Sequence, residues 1–261
     1  MKIALKGRKA LVGGSTSGLG KAMAWQLAEC GAEVTLMARN REKMERMLKE
    51  LSNSQGQQHD FLVVDFMDFP DFQDKITPYF EDNSIDILVN NTNGPKAGNV
   101  SEKNIGDYQQ AFDLLFKTYC LTGILALEGM KKKQFGRIIN VSSVSVKEPL
   151  QNLVLSNTIR SAVVNWAKTL ARDVAPYGIT VNNILTGSFD TERLGDLHRQ
   201  QAENKGINLE EWRKQMADGI PMKRFGQPKE YGYLATFLAS EYASYITGTN
   251  IPIDGGAMNS V

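Results

Sequence analysis

Seven short apolar segments alternate along the chain with stretches long enough to form helices. They span residues 10–12, 34–37, 61–64, 85–89, 137–141, 179–184 and 250–253. Neighbouring parallel strands need a long crossover, usually a helix, and such crossovers are nearly always right-handed. The alternation therefore predicts an α/β chain with one doubly wound, parallel, seven-stranded sheet that carries helices on both faces.

We expect residues 1–261 to form a single domain. The length suits one large core, and the sequence contains no internal repeat and no linker rich in Pro, Gly or Ser. Residues 188–225 are charged and only weakly periodic. We interpret this segment as a helical excursion that covers a cleft at the edge of the sheet and shapes the substrate pocket.

Composition argues against several other classes of protein. Lys and Arg together number 30 against 29 for Asp and Glu, which disfavours a nucleic-acid or membrane-surface partner. The cysteines and histidines have no metal-ligand spacing, so we expect no metal site. The first residues lack an apolar leader, and no segment approaches the length of a membrane span. We therefore expect a cytoplasmic location.

A glycine-rich run from Gly13 to Gly20 follows the first apolar segment and precedes a helical pattern. A backbone without Cβ atoms can turn tightly and approach a diphosphate closely. The first amides of the following helix, together with its dipole, then favour the phosphate charge. The run predicts a Rossmann-type dinucleotide site, although an ordinary strand-to-helix turn is the alternative. The residues expected at this site are Gly14, Ser15, Thr16, Ser17, Gly18, Leu19 and Gly20.

The end of the second predicted strand indicates which nucleotide binds. A site for NAD(H) usually carries an acidic residue here for the ribose hydroxyls, whereas this chain has Arg39. An arginine suits the 2′-phosphate of NADP(H), so we favour NADP(H) over NAD(H). The alternative is that Arg39 and Arg41 only solvate the start of the next helix.

Further motifs extend from residue 65 to the tail at 224–256, and with the glycine run they resemble the short-chain dehydrogenase/reductase family. Within it the chain is similar to the 3-oxoacyl-[acyl-carrier-protein] reductase-like branch, over almost its whole length. The resemblance implies that Asn90 stabilises the sheet and that Ser143 is the catalytic serine. It also implies cofactor contacts at Asp65, Phe66, Asn91, Gly187 and Thr191.

The chain departs from the family where the proton donor is expected. The family's YxxxK motif begins thirteen residues after the catalytic serine, where this sequence has Ser156 and, four residues later, Arg160. The position of the family's relay asparagine falls near Leu115. A serine hydroxyl is a much weaker acid than a phenol, and an arginine stays protonated.

Other residues can be assigned to the altered site. Ser143 would hold the substrate oxygen, and Arg160 would bind the ribose or stabilise developing negative charge. The proton would come from Lys147, on the loop after the fifth strand, or from a water relayed through Ser156. The alternative for Lys147 is that it pairs with Glu148 or solvates the loop.

These residues predict an NADP(H)-dependent oxidoreductase, of the carbonyl (3-oxoacyl-type) reductase kind, with an atypical active site. Its substrate would be a small carbonyl compound or alcohol, with an acyl thioester as one candidate. The second hypothesis is a catalytically idle relative that binds the cofactor and acts as a sensor or assembly partner. The resemblance further implies a homo-oligomer, a dimer or tetramer, formed through the helix at 112–127 and the helix that carries Ile159 to Leu170.

Overall fold

The computed structural model describes residues 2–260. Within them, seven strands form one parallel sheet in the order β3-β2-β1-β4-β5-β6-β7. The strands are β1 Lys9–Gly13, β2 Glu33–Ala38, β3 Asp60–Val63, β4 Ile87–Asn90, β5 Gly136–Ser143, β6 Ile179–Thr186 and β7 Asn250–Ile253. All seven predicted strands are confirmed, with bounds that shift by two residues at most.

Helices cover both faces of the sheet, as predicted. They are α1 Gly18–Glu29, α2 Arg41–Glu50, α3 Phe69–Asp82, α4 Ile105–Ala111, α5 Thr118–Lys133, α6 Val154–Val174, α7 Glu192–Lys205, α8 Leu209–Asp218 and α9 Pro228–Ala239. One core packs buried side chains of α1, α2 and α9 against the sheet, and a second core packs those of α3, α5 and α6 against its other face. A six-residue π-helical turn, Phe112–Lys117, joins α4 to α5.

The strand order places a cleft beside β1. From β1 the chain moves outward to β2 and β3, and it then returns to the other side of β1 to form β4. The crossovers on either side of this point diverge, which leaves a crevice beyond the carboxyl ends of β1 and β4. The glycine run lies at the carboxyl end of β1 and therefore borders the crevice.

Four asparagines, three of them buried and the fourth, Asn250, exposed, form a hydrogen-bonded ladder across one half of the sheet. Asn90 donates to Asn140, Asn140 to Asn183, and Asn183 to Asn250, with distances of 2.9, 2.9 and 2.8 Å between the amide nitrogen and oxygen atoms. Each pair occupies matching register positions on neighbouring strands. Thr122 on α5 donates to the oxygen of Asn90 at 2.7 Å. The stabilising role expected of Asn90 thus extends over β4, β5, β6 and β7.

The excursion expected at 188–225 contains α7 and α8. Thr191 caps α7 by accepting a hydrogen bond from the amide of Leu194. Asn208 caps α8 by accepting a hydrogen bond from the amide of Glu210. Asp190, just before α7, forms an ion pair with Arg213 of α8 at 2.7 Å.

None of the helices within residues 2–260 combines the length and apolar character that a bilayer crossing requires.

Candidate active site

The glycine run forms a turn that leaves no room for side chains. Gly14 and Gly18 have φ angles of +56° and +50°, which lie in the left-handed region that favours glycine. A Cβ atom at Gly20 would overlap the carbonyl oxygen of Gly14. Ser17 precedes α1 but makes no side-chain cap, so the first amides of the helix can serve an anion. The turn therefore fits the diphosphate of a dinucleotide.

Within the glycine run, one side chain is buried and holds the turn in place, and two others face a surface groove. Ser15 is fully buried, and its hydroxyl accepts a hydrogen bond from the amide of Met37 at 3.0 Å, which fixes the turn to β2. Ser15 can reach a ligand only through its backbone. Thr16 and Ser17 instead line a groove of about 590 Å³ between α1 and α2. Basic side chains from both helices also line this groove: Lys21, Lys43 and Arg46.

Arg39 and Asp65 lie together at the ends of β2 and β3. Nη1 of Arg39 is 3.9 Å from Oδ2 of Asp65, and both side chains are substantially exposed. Oδ1 of Asp65 accepts a hydrogen bond from the amide of Met67 at 2.9 Å, which orients the carboxylate. The ring of Phe66 is buried against Phe72, with 5.4 Å between the ring centroids. Phe66 can therefore border the cleft only through its backbone.

Asn91 connects β4 to the glycine run. Its Nδ2 donates to the carbonyl oxygen of Gly13 at 3.0 Å, and its backbone oxygen lies where a Cβ at Gly13 would be. The family resemblance implies a cofactor contact at Asn91. In the structure its side chain fastens the two loops that border the cleft.

Ser143 lies at the carboxyl end of β5, beside Thr186 at the end of β6. Its hydroxyl accepts a hydrogen bond from the amide of Ser145 at 3.1 Å, and the residue is partly exposed. Ser156 lies in the first turn of α6 and is also partly exposed. Both hydroxyls thus belong to elements that meet at the cleft.

Arg160 points into the protein rather than toward solvent. It is 8% exposed, and its Nη1 donates to the carbonyl oxygen of Val141. The hydroxyl of Tyr119 donates to the same oxygen at 3.1 Å and also contacts Arg160 and Thr92. Burial raises the pKa of the Tyr119 phenol, and the charge of Arg160 partly opposes that rise. The sequence gives one weak signal for Tyr119: a hydroxyl-bearing aromatic residue on a largely apolar helix.

Leu115 is fully buried in the π-helical turn, in the second core. A leucine offers no amide for a proton relay, and the assignment of this position to the family's relay asparagine stays a prediction. The hydroxyl of Thr118 donates to the carbonyl oxygen of Asp113 at 3.0 Å, five residues earlier, and satisfies one group of the widened turn. Such turns are often found beside functional sites.

Lys147 follows a short 3₁₀ turn, Val144–Val146, and is exposed. An acid role for Lys147 stays a prediction. Its neighbour Glu148 accepts a hydrogen bond from the amide of Asn259 at 2.8 Å, so this loop contacts the end of the chain.

The start of the covering segment crosses the cleft. Gly187 packs so closely on Asp254 that a Cβ there would lie 2.6 Å from its Cα. The methyl group of Thr191 lies 3.3 Å from the position of a Cβ at Gly18. The guanidinium of Arg193 lies over Gly94, in the loop after β4. The cleft is therefore bounded below by the ends of the strands and is partly covered by the segment that leads into α7. Arg193 was not identified from the sequence.

Comparisons with known proteins agree with this architecture. The family model described as enoyl-(acyl carrier protein) reductase matches residues 14–258. The NADPH-dependent reductase BacG of Bacillus subtilis is 32% identical over 97% of this chain and 99% of that protein. The 3-oxoacyl-[acyl-carrier-protein] reductase FabG of Aquifex aeolicus is 30% identical over 98% of this chain and 99% of that protein.

Solved structures give the same result. YwfH, described as an NADPH-dependent reductase involved in bacilysin biosynthesis, has a TM-score of 0.89 at 34% identity and covers 97% of this chain and 99% of that one. L-sorbose reductase from Gluconobacter frateurii, complexed with NADPH and L-sorbose, has a TM-score of 0.93 at 26% identity, with full coverage of both chains. With the sheet order, the glycine turn and these matches, the chain belongs to the short-chain dehydrogenase/reductase family.

Proposed function

We propose that this protein is an NADP(H)-dependent oxidoreductase that reduces a carbonyl group of a small molecule or oxidises the corresponding alcohol. The observation that carries the proposal is the glycine turn, where Gly14 and Gly18 have left-handed backbones and Gly20 has no space for a side chain. A relative and a similar structure that are described as NADPH-dependent, and a further structure complexed with NADPH, support the choice of cofactor.

Cofactor preference rests on Arg39. Its exposed guanidinium stands beside the end of β2, where a 2′-phosphate would form charge-assisted hydrogen bonds with it. Asp65 is 3.9 Å away, and an exposed ion pair of this length contributes little, so a phosphate can compete for the guanidinium. The neighbouring groove carries balanced charge, because Glu50, Asp190 and Glu192 line it together with Lys21, Lys43 and Arg46, so the preference depends on Arg39 itself.

A bound nicotinamide supplies or accepts the hydride, and the protein must then stabilise and protonate the substrate oxygen. Ser143 can donate to that oxygen, because its hydroxyl is an acceptor for the amide of Ser145 and keeps its own proton free to donate. Arg160 supplies a fixed positive charge close to the same strand end, which favours a developing alkoxide.

The proton needs a source other than the family's tyrosine. In this proposal Lys147 delivers it, or a water held by Ser156 does. Lys147 is exposed, so the substrate must cover this loop for the ammonium group to reach the substrate oxygen. If Lys147 is the donor, Lys147→Ala should abolish turnover while NADPH binding remains, whereas turnover that persists in this variant assigns the proton to the water.

A second candidate function has its own support. Leu115, Ser156 and Arg160 replace three residues that the family uses for proton transfer, and Arg160 is engaged by Val141 and Tyr119 inside the protein. A protein that binds the cofactor without turnover, as a sensor or assembly partner, would retain the glycine turn and lose this relay.

Fluorescence titration with NADPH and NADH, followed by assays with a 3-oxoacyl thioester and a panel of ketones, separates these functions. Tight NADPH binding with turnover supports the reductase. Binding without turnover on any carbonyl supports the idle relative, and absence of binding refutes both.

We also propose a dimer or tetramer that uses α5 and α6. Ile159, Val163, Ala167 and Leu170 are buried within the single chain, so core packing accounts for most of the apolar stripe. Ile124 on α5 is 59% exposed and would be covered by a partner copy. A monomer in light scattering at micromolar concentration would contradict this assembly.

A further inference from the structure

Two guanidinium groups approach the loop after β4 from different elements. Arg193, in the first turn of α7, lies over Gly94, and both of its Nη atoms are 2.6 Å from where a Cβ at Gly94 would be. Arg160, on α6, contacts Tyr119, whose hydroxyl also contacts Thr92. Thr92 and Gly94 are two residues apart, so both arginines border the same short loop.

Neither arginine has an acidic partner in the part of the chain that the structure describes. No carboxylate in residues 2–260 lies within 4.0 Å of Arg160 or Arg193. Asp190, close in sequence to Arg193, is paired with Arg213. Partial burial of the guanidinium, and then the charge of Arg160, lower the pKa of Arg193. Two unpaired positive charges held near one another are unfavourable until an anion joins them.

The position of the pair along the sheet indicates which anion this is. The glycine turn for the diphosphate is on β1, and Arg39 for the adenosine end is on β2. The loop that Arg193 covers follows β4, on the opposite side of β1, next to the end of β5 that carries Ser143. An anion held at this loop therefore lies one strand nearer to Ser143 than an anion held at the glycine turn, as a group of the reacting molecule would.

We propose that the substrate is an oxo acid or the matching hydroxy acid, and that Arg193 binds its carboxylate with the help of the charge of Arg160. The inference rests on the proposed oxidoreductase function and names the substrate class for it. A guanidinium can bind a carboxylate through two parallel N–H···O hydrogen bonds, which gives orientation as well as charge. A thioester carries no charge at this point, so the free acid is preferred over a 3-oxoacyl thioester.

Calorimetry on the protein saturated with NADP⁺ tests the proposal. The probes are 2-oxobutanoate, acetoacetate and levulinate, each paired with its methyl ester, so that the two members of each pair differ only at the carboxyl group, which is ionised in the acid and neutral in the ester. We expect at least one acid to bind at least tenfold more tightly than its ester. Arg193→Gln should remove this preference without changing the affinity for NADP⁺ by more than about twofold, and Arg193→Lys should retain part of it.

A matched control is Arg199→Gln, on the same helix, because Arg199 is exposed and pairs with Asp196 at 2.8 Å. It should bind acids and esters as the wild type does. Equal binding of acids and esters, binding of no acid, or an unchanged preference in Arg193→Gln would each overturn the proposal. A tenfold weaker affinity of Arg193→Gln for NADP⁺ would also overturn it and assign Arg193 to the cofactor.

Failure of the proposed function gives a different result. If the wild-type protein bound neither NADPH nor NADP⁺, the oxidoreductase proposal would fall. The comparison of acids with esters on the protein alone would still decide whether the two arginines form an anion site.

Discussion

Arg160 and Tyr119 donate to one shared acceptor, the carbonyl oxygen of Val141 on β5. The arginine comes from α6 and the tyrosine from α5, so the shared oxygen joins two helices to the strand that delivers Ser143. Tyr119 contacts no solvent and holds the guanidinium in place. It is therefore a positioning residue for Arg160.

Tyr119→Phe should lower kcat/KM by more than its loss of folding stability can explain. Loss of one hydrogen bond costs about 1 kcal/mol of unfolding free energy, and the guanidinium also loses a neighbour that orients it. Tyr79→Phe is the matched control, since its hydroxyl also donates a 3.1 Å bond, to Thr35, far from the cleft. Urea unfolding should show similar losses for both variants, whereas only Tyr119→Phe should lower kcat/KM. If the two variants had the same kcat/KM, Tyr119 would not be a positioning residue for Arg160.

Gly20→Ala should disrupt cofactor binding, because its methyl group would overlap the carbonyl oxygen of Gly14. The turn must open to admit it, which displaces the first amides of α1. Fluorescence titration should show NADPH affinity at least tenfold lower. Gly195→Ala, in α7, is the control, because the nearest atom to its new Cβ is 4.0 Å away. A Gly20→Ala variant that binds NADPH normally would contradict the role given to the turn.

Arg39→Gln should reduce the preference for NADPH over NADH. A charge-assisted hydrogen bond to a phosphate contributes roughly 1.5–3 kcal/mol, which corresponds to about a tenfold to a hundredfold change in NADPH affinity. NADH affinity should change little. Arg41→Gln is the control, because Arg41 pairs with Glu45 at 3.6 Å on α2. A parallel loss for both nucleotides would show that Arg39 acts on something other than the 2′-phosphate.

Asn140→Leu should be strongly destabilising. It removes two hydrogen bonds of the ladder and leaves the buried amide nitrogen of Asn90 and the buried amide oxygen of Asn183 without partners. Each unsatisfied group costs about 1–3 kcal/mol, so we expect a loss of several kcal/mol in urea unfolding. Asn165→Leu, at an exposed position of α6, should change stability by about 0.5 kcal/mol or less. Comparable effects at the two sites would contradict a structural role for the ladder.

Glu230 should make stability depend on pH. Hydrogen bonds from Arg224 and from the amide of Gln227 lower the pKa of Glu230 to about 2. Because the folded-state pKa lies below the unfolded value, this contribution is present above about pH 4.3 and is lost as the pH falls toward 2. The pair is near the surface, so we expect Glu230→Gln to cost only about 1 kcal/mol at pH 7 and progressively less below pH 4. A difference from wild type that stays constant between pH 7 and pH 3 would refute this.

The sequence was sufficient to predict the fold because its signals are local. Seven apolar runs and the helix-length segments between them fix the number of strands, and the handedness of crossovers restricts how they connect. The glycine turn and Arg39 could be placed for the same reason, since each follows directly from a strand end.

The direction of individual side chains could not be predicted in this way. Ser15 and Phe66 lie in segments expected to contact a cofactor, yet both side chains turn inward, because their neighbours on β2 and α3 provide the better packing and hydrogen bonding. Arg193 comes to lie over Gly94, and Tyr119 beside Arg160, only through the path of α7 and the widened turn before α5. Contacts of this kind depend on tertiary packing, and no local pattern reveals them.

The asparagine ladder also has a consequence for how the sheet assembles. Interchangeable Val, Ile and Leu side chains would allow β5 and β6 to slide past one another with little loss of apolar contact. A shift by one residue between these strands would separate Asn140 from Asn183 and leave the amide nitrogen of the first and the amide oxygen of the second without partners in the buried interior. The ladder thus penalises misaligned intermediates during folding, and the alignment that it selects is the one that brings Ser143 beside Thr186.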